Sequence, residues 1–321
     1  MKFRTEIEIA PLRVPIGYRD RIVSFGSCFA DAIARRMAEA KFRVCCNPTG
    51  TLFNPLSVAG SLRTLLERRP VQRCELQEGE GIWFHDDFHG SFSESDPERA
   101  LERMNAARRA GAEALEAADF LFVTFGTAWV YERAGHVVAN CHRQPAARFV
   151  RRRLTVAEIV EACAPLFEGP LGGKQILLTV SPVRHIGDGL EGNALSKALL
   201  RVAAAELVER CPNVHYFPSF EIVTDDLRDY RFYGDDLVHP SAQAVDYIWE
   251  KFAAAALDRE AQQLLPEVES ICAAARHRPR HPESTAHREL CRRMLGRIAD
   301  LPAIDFSAEA AAFRRSIEIN S

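Results

Sequence analysis

The sequence predicts an α/β fold, a three-layer sandwich whose mostly parallel sheet lies between helices, followed by a helical C-terminal extension. Three observations carry this reading. Short apolar runs alternate with longer helical stretches up to about residue 257, which means βα units joined by right-handed crossovers. The strongest run, Asp119-Phe-Leu-Phe-Val-Thr-Phe125, is apolar on both faces, as a central parallel strand is. Polar clusters fall at the predicted strand ends, where such folds bind their ligands.

Residues 1–20 read as an edge extension. Ile22 to Phe25 is a short apolar run with the length of a buried strand. It stops at Gly26, and Ser27 follows where the helical pattern Asp31-Ala-Ile-Ala-Arg-Arg-Met37 begins. Serine there is first of all a good helix N-cap. It also places an Oγ at the strand's carboxyl edge, beside the free N–H groups of a helix N-terminus. Lys41 to Cys46 is the second strand. It runs into Asn47-Pro-Thr-Gly-Thr-Leu-Phe-Asn-Pro55, a loop because residues before proline avoid helical geometry. Gly50 either reverses the chain or lets backbone N–H groups approach a ligand closely. A helix follows at about residues 56–67.

Residues 70–95 are harder to place. In Trp83-Phe-His-Asp-Asp-Phe-His89 a helix would put His85 and His89 on one face, able to bind a metal. The aromatics and the following Gly90 favour a strand or a polar loop lining a cleft, so no metal is expected. Ser95-Asp-Pro-Glu98 opens a helix running to about Ala118. The central strand ends in Gly126-Thr-Ala-Trp-Val-Tyr131, and Val137-Val-Ala139 leads to Asn140-Cys-His-Arg-Gln-Pro145. Arg151-Arg-Arg153 reads as a solvated face before a helix that Thr155 and Glu158 open as a capping box. A buried strand at 175–181 carries Pro182-Val-Arg-His185 at its end. A helix at about 193–209 leads to the last strand, 214–218. The charged, aromatic loop 225–234 then delivers Asp235-Asp-Leu-Val-His-Pro-Ser241 just before a final helix. Two units result, 1–257 and 258–321. The second is helical in composition, broken at Arg276-His-Arg-Pro-Arg-His-Pro282. It reads as an appendage for packing or for homo-oligomer formation through its helices.

Composition narrows the function. A formal net charge of -3 gives no reason to expect nucleic acid or an anionic membrane as partner. No apolar run approaches the roughly 20 residues of a membrane span. The first nine residues alternate polar and apolar instead of forming a signal peptide's apolar core. Nine cysteines without a C-x-x-C fit reduced thiols, and hence a cytoplasmic protein.

A serine becomes a useful nucleophile when a histidine, oriented by a carboxylate, takes its proton. His239 lies three residues after Asp236, in a loop before a helix. At that separation the carboxylate can meet Nδ1–H while Nε2 faces a cleft; the bland alternative is that Asp236 only caps a turn. A strand-end serine near the N-terminus, combined with Asp-x-x-His before the last helix, resembles the SGNH (GDSL-type) hydrolase superfamily. The string Gly26-Ser-Cys-Phe-Ala30 resembles the signature of the GSCFA-domain family, a branch similar to it. Asn47-Pro-Thr-Gly50, Asn54-Pro55, Phe125-Gly-Thr-Ala-Trp129, Asn140-Cys-His142, Ser181-Pro-Val-Arg-His185, Asp229-Tyr-Arg-Phe-Tyr233 and His239-Pro-Ser241 are similar to that family as well. The resemblance covers roughly residues 20–256.

The resemblance implies an SGNH/flavodoxin-like sandwich with Ser27 as nucleophile, His239 as base and Asp236 as its orienter. It implies an oxyanion hole built from the Ser27 N–H, the Gly50 N–H and an Asn side chain. The last departs from the pattern, because Ala128-Trp129 stand where Asn-Asp is expected. Thr127 or Asn140 would substitute. His142, His185, Trp129 and Arg184 are candidate substrate contacts, the histidines equally structural residues. Cys28 and Cys141 rank below Ser27 as nucleophiles. The expected activity is a cofactor-free esterase that removes an O-acyl group, acetyl above all, from a sugar or small metabolite. The same triad could pass the acyl group to an alcohol, and the missing Asn supports a third reading, a non-catalytic binding module.

Overall fold

A computed structural model describes residues 4–318. Along the chain come β1 (Arg21–Gly26), α1 (Cys28–Glu39), β2 (Arg43–Cys46) and α2 (Pro55–Leu66). A small hairpin follows, β3 (Gln77–Gly79) and β4 (Ile82–Phe84), then α3 (Pro97–Ala117) and β5 (Phe120–Phe125). An antiparallel unit of β6 (Trp129–Arg133), β7 (His136–Val138) and β8 (Val150–Arg153) precedes α4 (Val156–Glu168) and β9 (Gln175–Val180). The rest is α5 (Gly189–Arg210), β10 (Val214–Tyr216), α6 (Ser219–Glu221), α7 (Ala242–Ala256), α8 (Arg259–Arg276), α9 (Thr285–Ala299) and α10 (Ser307–Glu318). A π-helical stretch, Ile222–Leu227, continues α6.

The main sheet has five parallel strands in the order β10-β9-β5-β1-β2. By chain position this is the doubly wound order 2-1-3-4-5. The winding direction reverses between β1 and β5, so a crevice opens at their carboxyl ends. There Gly26 pairs beside Thr124, and Phe125 beside Val180. The strand period of two sorts side chains cleanly between the layers. Val23, Phe25, Val123, Phe125 and Leu178 bury against Leu62 of α2, Phe167 of α4 and Leu200 of α5. Ile22, Phe120, Phe122 and Leu177 face Phe29 and Met37 of α1 and Trp249 and Phe252 of α7.

The C-terminal helices belong to that second cluster. Val268 and Ile271 of α8, Cys291 and Met294 of α9 and Phe313 of α10 join it. Much of the apolar surface of the expected appendage is therefore spent inside the molecule, against α1 and α7. The break read at 276–282 coincides with the connection between α8 and α9. Among the described residues no helix is long and apolar enough to cross a membrane.

Arg151-Arg-Arg153 forms most of β8, paired antiparallel with β6 from Trp129↔Arg153 to Glu132↔Val150, and its side chains remain partly solvated, as read from the sequence. The Arg151 guanidinium lies 4.2 Å from the Trp129 ring centroid and 5.6 Å from that of Tyr131. Cation–π contact and cross-strand pairing order these residues as a strand whose side chains stay partly solvated.

Candidate active site

The turn after β1 is fixed by sterics. Gly26 has φ +146°, and a Cβ there would lie 2.4 Å from the Thr124 carbonyl oxygen. Only glycine lets β1 press this closely on β5 before turning. Ser27 then takes extended backbone and caps α1, its Oγ accepting from the Phe29 N–H at 3.3 Å. Asn47 Oδ1 accepts from the Gly26 N–H at 2.8 Å, and Asn47 Nδ2 donates to Asp31 Oδ1 at 2.7 Å. The Thr51 hydroxyl donates to the other Asp31 oxygen at 3.1 Å. This knot ties the strand end, the first turn of α1 and the 47–55 loop into one rigid piece.

Gly50 is special for a reason different from the one its sequence suggests. Its φ is +89°, and a Cβ would lie 2.2 Å from His89 Cβ. The close approach is made by the 85–92 loop, and the Gly50 N–H donates to the Asn47 carbonyl at 2.8 Å. The expected second oxyanion donor is thus already committed to a turn. Thr127 is engaged in the same way. Its hydroxyl accepts from the Trp129 N–H and lies 3.2 Å from Ser196 Oγ. Asn140 differs: Oδ1 accepts from the His142 N–H at 2.8 Å, while Nδ2 has no partner among the described residues.

The C-terminal dyad forms. His239 Nδ1–H donates to Asp236 Oδ2 at 2.7 Å, and Asp236 Oδ1 accepts from the Val238 and His239 N–H groups. The imidazole bond first, and then the two N–H bonds, hold the Asp236 carboxyl down at about 2. Imidazole and carboxylate are both about half exposed, at 49% and 51%. The loop is braced by Arg184, whose N–H donates to the Val238 carbonyl and whose guanidinium donates to the Leu237 carbonyl. That guanidinium lies 5.3 and 5.5 Å from the ring centroids of Tyr230 and Tyr233. Arg184, a candidate substrate contact by resemblance, is occupied as this brace.

Ser27 and His239 are at the same edge of the sheet but share no hydrogen bond. Ser27 is only 1% exposed. Gly126 adjoins it, since a Cβ on Gly126 would lie 3.4 Å from Ser27 Cβ. The His185 ring borders the Gly126 carbonyl and senses the charge of His239. A cavity of about 330 Å³ opens beside them, lined by Phe53, Thr127, Trp129, Asn140, Arg151 and His185. Arg151 forms an ion pair with Asp188 at its rim. Two polar atoms, Trp129 Nε1 and His185 Nε2, are buried without hydrogen-bond partners.

His142 lines a different cavity of about 550 Å³, which shares Asn140 with the first. Its ring stacks on Phe84 at 4.4 Å and its Nε2 meets the His85 carbonyl at 2.9 Å. His85 and His89 lie on a loop, each Nδ1 turned to its own backbone neighbourhood, Asp87 N–H and Ser91. Among the described residues no group of three His, Cys, Asp or Glu side chains could hold a metal ion. The Cys28 and Cys141 thiols are both pushed up, by desolvation first and by Asp31 and Asp86 respectively. Neither is poised as a thiolate.

Burial first, then the nearby Lys197 ammonium, drives the His185 imidazolium down to about 4, against the pull of the Gly126 carbonyl. The unfolded chain protonates this histidine near pH 6.5. Its contribution to stability is therefore complete above that pH and lost as pH falls through about 4. Urea denaturation of wild type against His185→Leu should show it: between pH 7 and 4 the wild type loses about 3 kcal/mol more than the variant. Equal slopes would refute a buried neutral His185.

Lys197 escaped the sequence reading. It lies on α5, fully buried, with Nζ donating to the Gly126 carbonyl at 2.6 Å and the Ser181 carbonyl at 2.7 Å. The signal was its register: 197, 200, 204 and 207 form the apolar stripe of α5, all buried.

Two family models match the chain. One, described as GSCFA family, covers residues 21–252, and the other, GSCFA domain protein, C-terminal domain, covers residues 268–319. No curated protein and no solved structure matches it.

Proposed function

The chain belongs to the GSCFA family, and from that premise we propose that it is a serine esterase that removes a small O-acyl group from a sugar or related alcohol. One observation supports the reading: the Asp236–His239 pair, joined at 2.7 Å, sits on a loop held to the β9 exit, and His239 acts on His185, which meets Gly126 beside Ser27. In the proposed reaction Ser27 Oγ leaves the Phe29 N–H and attacks the ester carbonyl carbon while His239 Nε2 takes its proton. The tetrahedral intermediate expels the alcohol, which receives that proton from His239. Water, deprotonated by the same nitrogen, then attacks the acyl-serine and releases the acid. Asp236 keeps the ring's orientation and stabilises its charged form.

The Ser27 N–H, at the end of the β1–β5 ladder, and the unpaired Asn140 Nδ2 are the proposed oxyanion donors. The near-complete burial of Ser27 suits an acyl group as small as acetyl. An aromatic wall at Trp129 and Tyr131, with the Trp129 Nε1–H unsatisfied, suits a hydroxyl-rich alcohol. The half-exposed His239 favours water over a second alcohol as acceptor. Nine cysteines, all unpaired, accord with a reducing compartment such as the cytoplasm.

Hydrolysis of p-nitrophenyl acetate tests the proposal. Asn140→Ala should lower kcat by about 100- to 1000-fold with KM little changed, the usual loss for one oxyanion donor. An unchanged kcat would remove Asn140 from the hole. An acyl-enzyme that persists until an alcohol is added would replace hydrolysis by transfer.

A further inference from the structure

Lys197 is a fully buried lysine without a carboxylate partner, its ammonium pushed down to about 7 by burial and held by two backbone carbonyls. Such a group is costly to bury and is ordinarily replaced by an apolar side chain unless its charge or its hydrogen bonds are needed. Its surroundings say which. β5 and β9 are hydrogen-bonded up to Phe125↔Val180, and the Ser181 N–H still reaches the Phe125 carbonyl at 2.8 Å. Beyond that point the two chains part, Gly126 toward Ser27 and Ser181 toward His185. The carbonyls of Gly126 and Ser181 are the first groups past the ladder, and Lys197 Nζ joins both. Its neighbour Ser196 serves the same turn, donating or accepting at Thr127 Oγ1 and accepting from the Ala128 N–H at 2.8 Å. On the other side the Gly126 and Thr127 N–H groups both donate to the Phe53 carbonyl. The Gly126–Thr127 turn is therefore clamped from two directions, by the 47–55 loop and by α5.

We propose that Lys197 is a positioning residue: its ammonium bridges the separating ends of β5 and β9, and so sets how the Gly126–Thr127 turn and His185 face Ser27 and the 330 Å³ cavity. His185 is held from its own side by Asn193 Oδ1, which accepts the His185 N–H at 2.9 Å. Asn193 and Lys197 stand one helical turn apart on α5. The helix thus grips both borders of the β9 exit loop. The buried charge also acts on the ring it positions, favouring neutral His185 with an unpartnered Nε2. In that state His185 can accept or donate one hydrogen bond to a ligand without bringing a second cation beside Lys197.

Lys197→Met and Lys197→Gln separate bridge from charge, because the amide can still donate two hydrogen bonds. The kinetic part of the test rests on the hydrolase reading; the titration of His185 does not. Followed by NMR of histidine-labelled protein, the His185 midpoint should rise from about 4 by about one pH unit or more in both variants. With p-nitrophenyl acetate, Lys197→Met should lose at least about tenfold in kcat with KM within about twofold, and Lys197→Gln should recover part of that loss. An unmoved His185 midpoint, or a kcat kept by Lys197→Met, would overturn the inference. Should Lys197→Met not fold, the midpoint and kcat of Lys197→Gln decide alone: both unchanged from wild type overturns it. If the wild type does not hydrolyse the ester, the hydrolase reading fails, and the His185 midpoint still decides whether Lys197 governs that ring.

Discussion

Ser27→Ala is expected to lower p-nitrophenyl acetate hydrolysis by at least about a thousandfold, with His239→Ala close to it and the double variant no worse. The near-equality follows from the chemistry. An alkoxide cannot form without a proton acceptor, and an acceptor without the hydroxyl has nothing to activate. The structure adds a control. Ser27 also caps α1 through the Phe29 N–H, so Ser27→Ala should cost about 1 kcal/mol in urea denaturation. A loss of that size leaves the fold intact, and any large fall in rate is then chemical. Activity retained in either single variant would dismiss the triad.

Gly26→Ala should be the most damaging single methyl in the site. At φ +146° an L-residue is strained, and the added Cβ would meet a backbone oxygen at 2.4 Å, an atom that cannot swing aside as a side chain can. Relief requires β1 to move away from β5, which loosens the Asn47 hydrogen bond to the same residue. The expected cost is about 3 kcal/mol or more, read as a lower urea midpoint, with a loss of esterase rate at temperatures where the variant remains folded. A midpoint within about 0.5 kcal/mol of wild type would mean that the turn is adaptable and its glycine incidental.

Most of the sheet was legible because its strands are short apolar runs separated by helices with recognisable starts. The predicted capping box at Thr155 forms, with Glu158 answering the Thr155 N–H. The central run 119–125 is buried over Phe120–Phe125. The pairing of Asp236 with His239 followed from a separation of three residues in a turn, a purely local matter. What stayed hidden depends on groups far apart in sequence. Val150–Arg153 is a strand because Trp129–Arg133 lies beside it, and nothing within VRRR says so. Gly50 announced itself as a glycine of consequence, but the partner that demands it, His89, comes from a loop with no clear pattern. The π-helical stretch Ile222–Leu227 had no counterpart in the sequence reading either. Lys197 was concealed by habit: a lysine on a helix is usually solvated, and only its place in the apolar stripe argued otherwise.

The apolar cluster shared by α1, α7 and the last three helices has a consequence for how this chain could have been assembled and can be cut. The two family models meet it as separate segments, 21–252 and 268–319, as though they were interchangeable modules. Physically they interlock. Met37, in the last turn of α1, and Phe42, in the connection to β2, are sealed in common with Ile271, Met294 and Phe313. A recombination or truncation near residue 257 would leave α1 with a greasy, unsupported flank, and α1 is the helix whose first turn begins at Ser27. The candidate site at one end and the helices at the other are therefore physically tied as a pair.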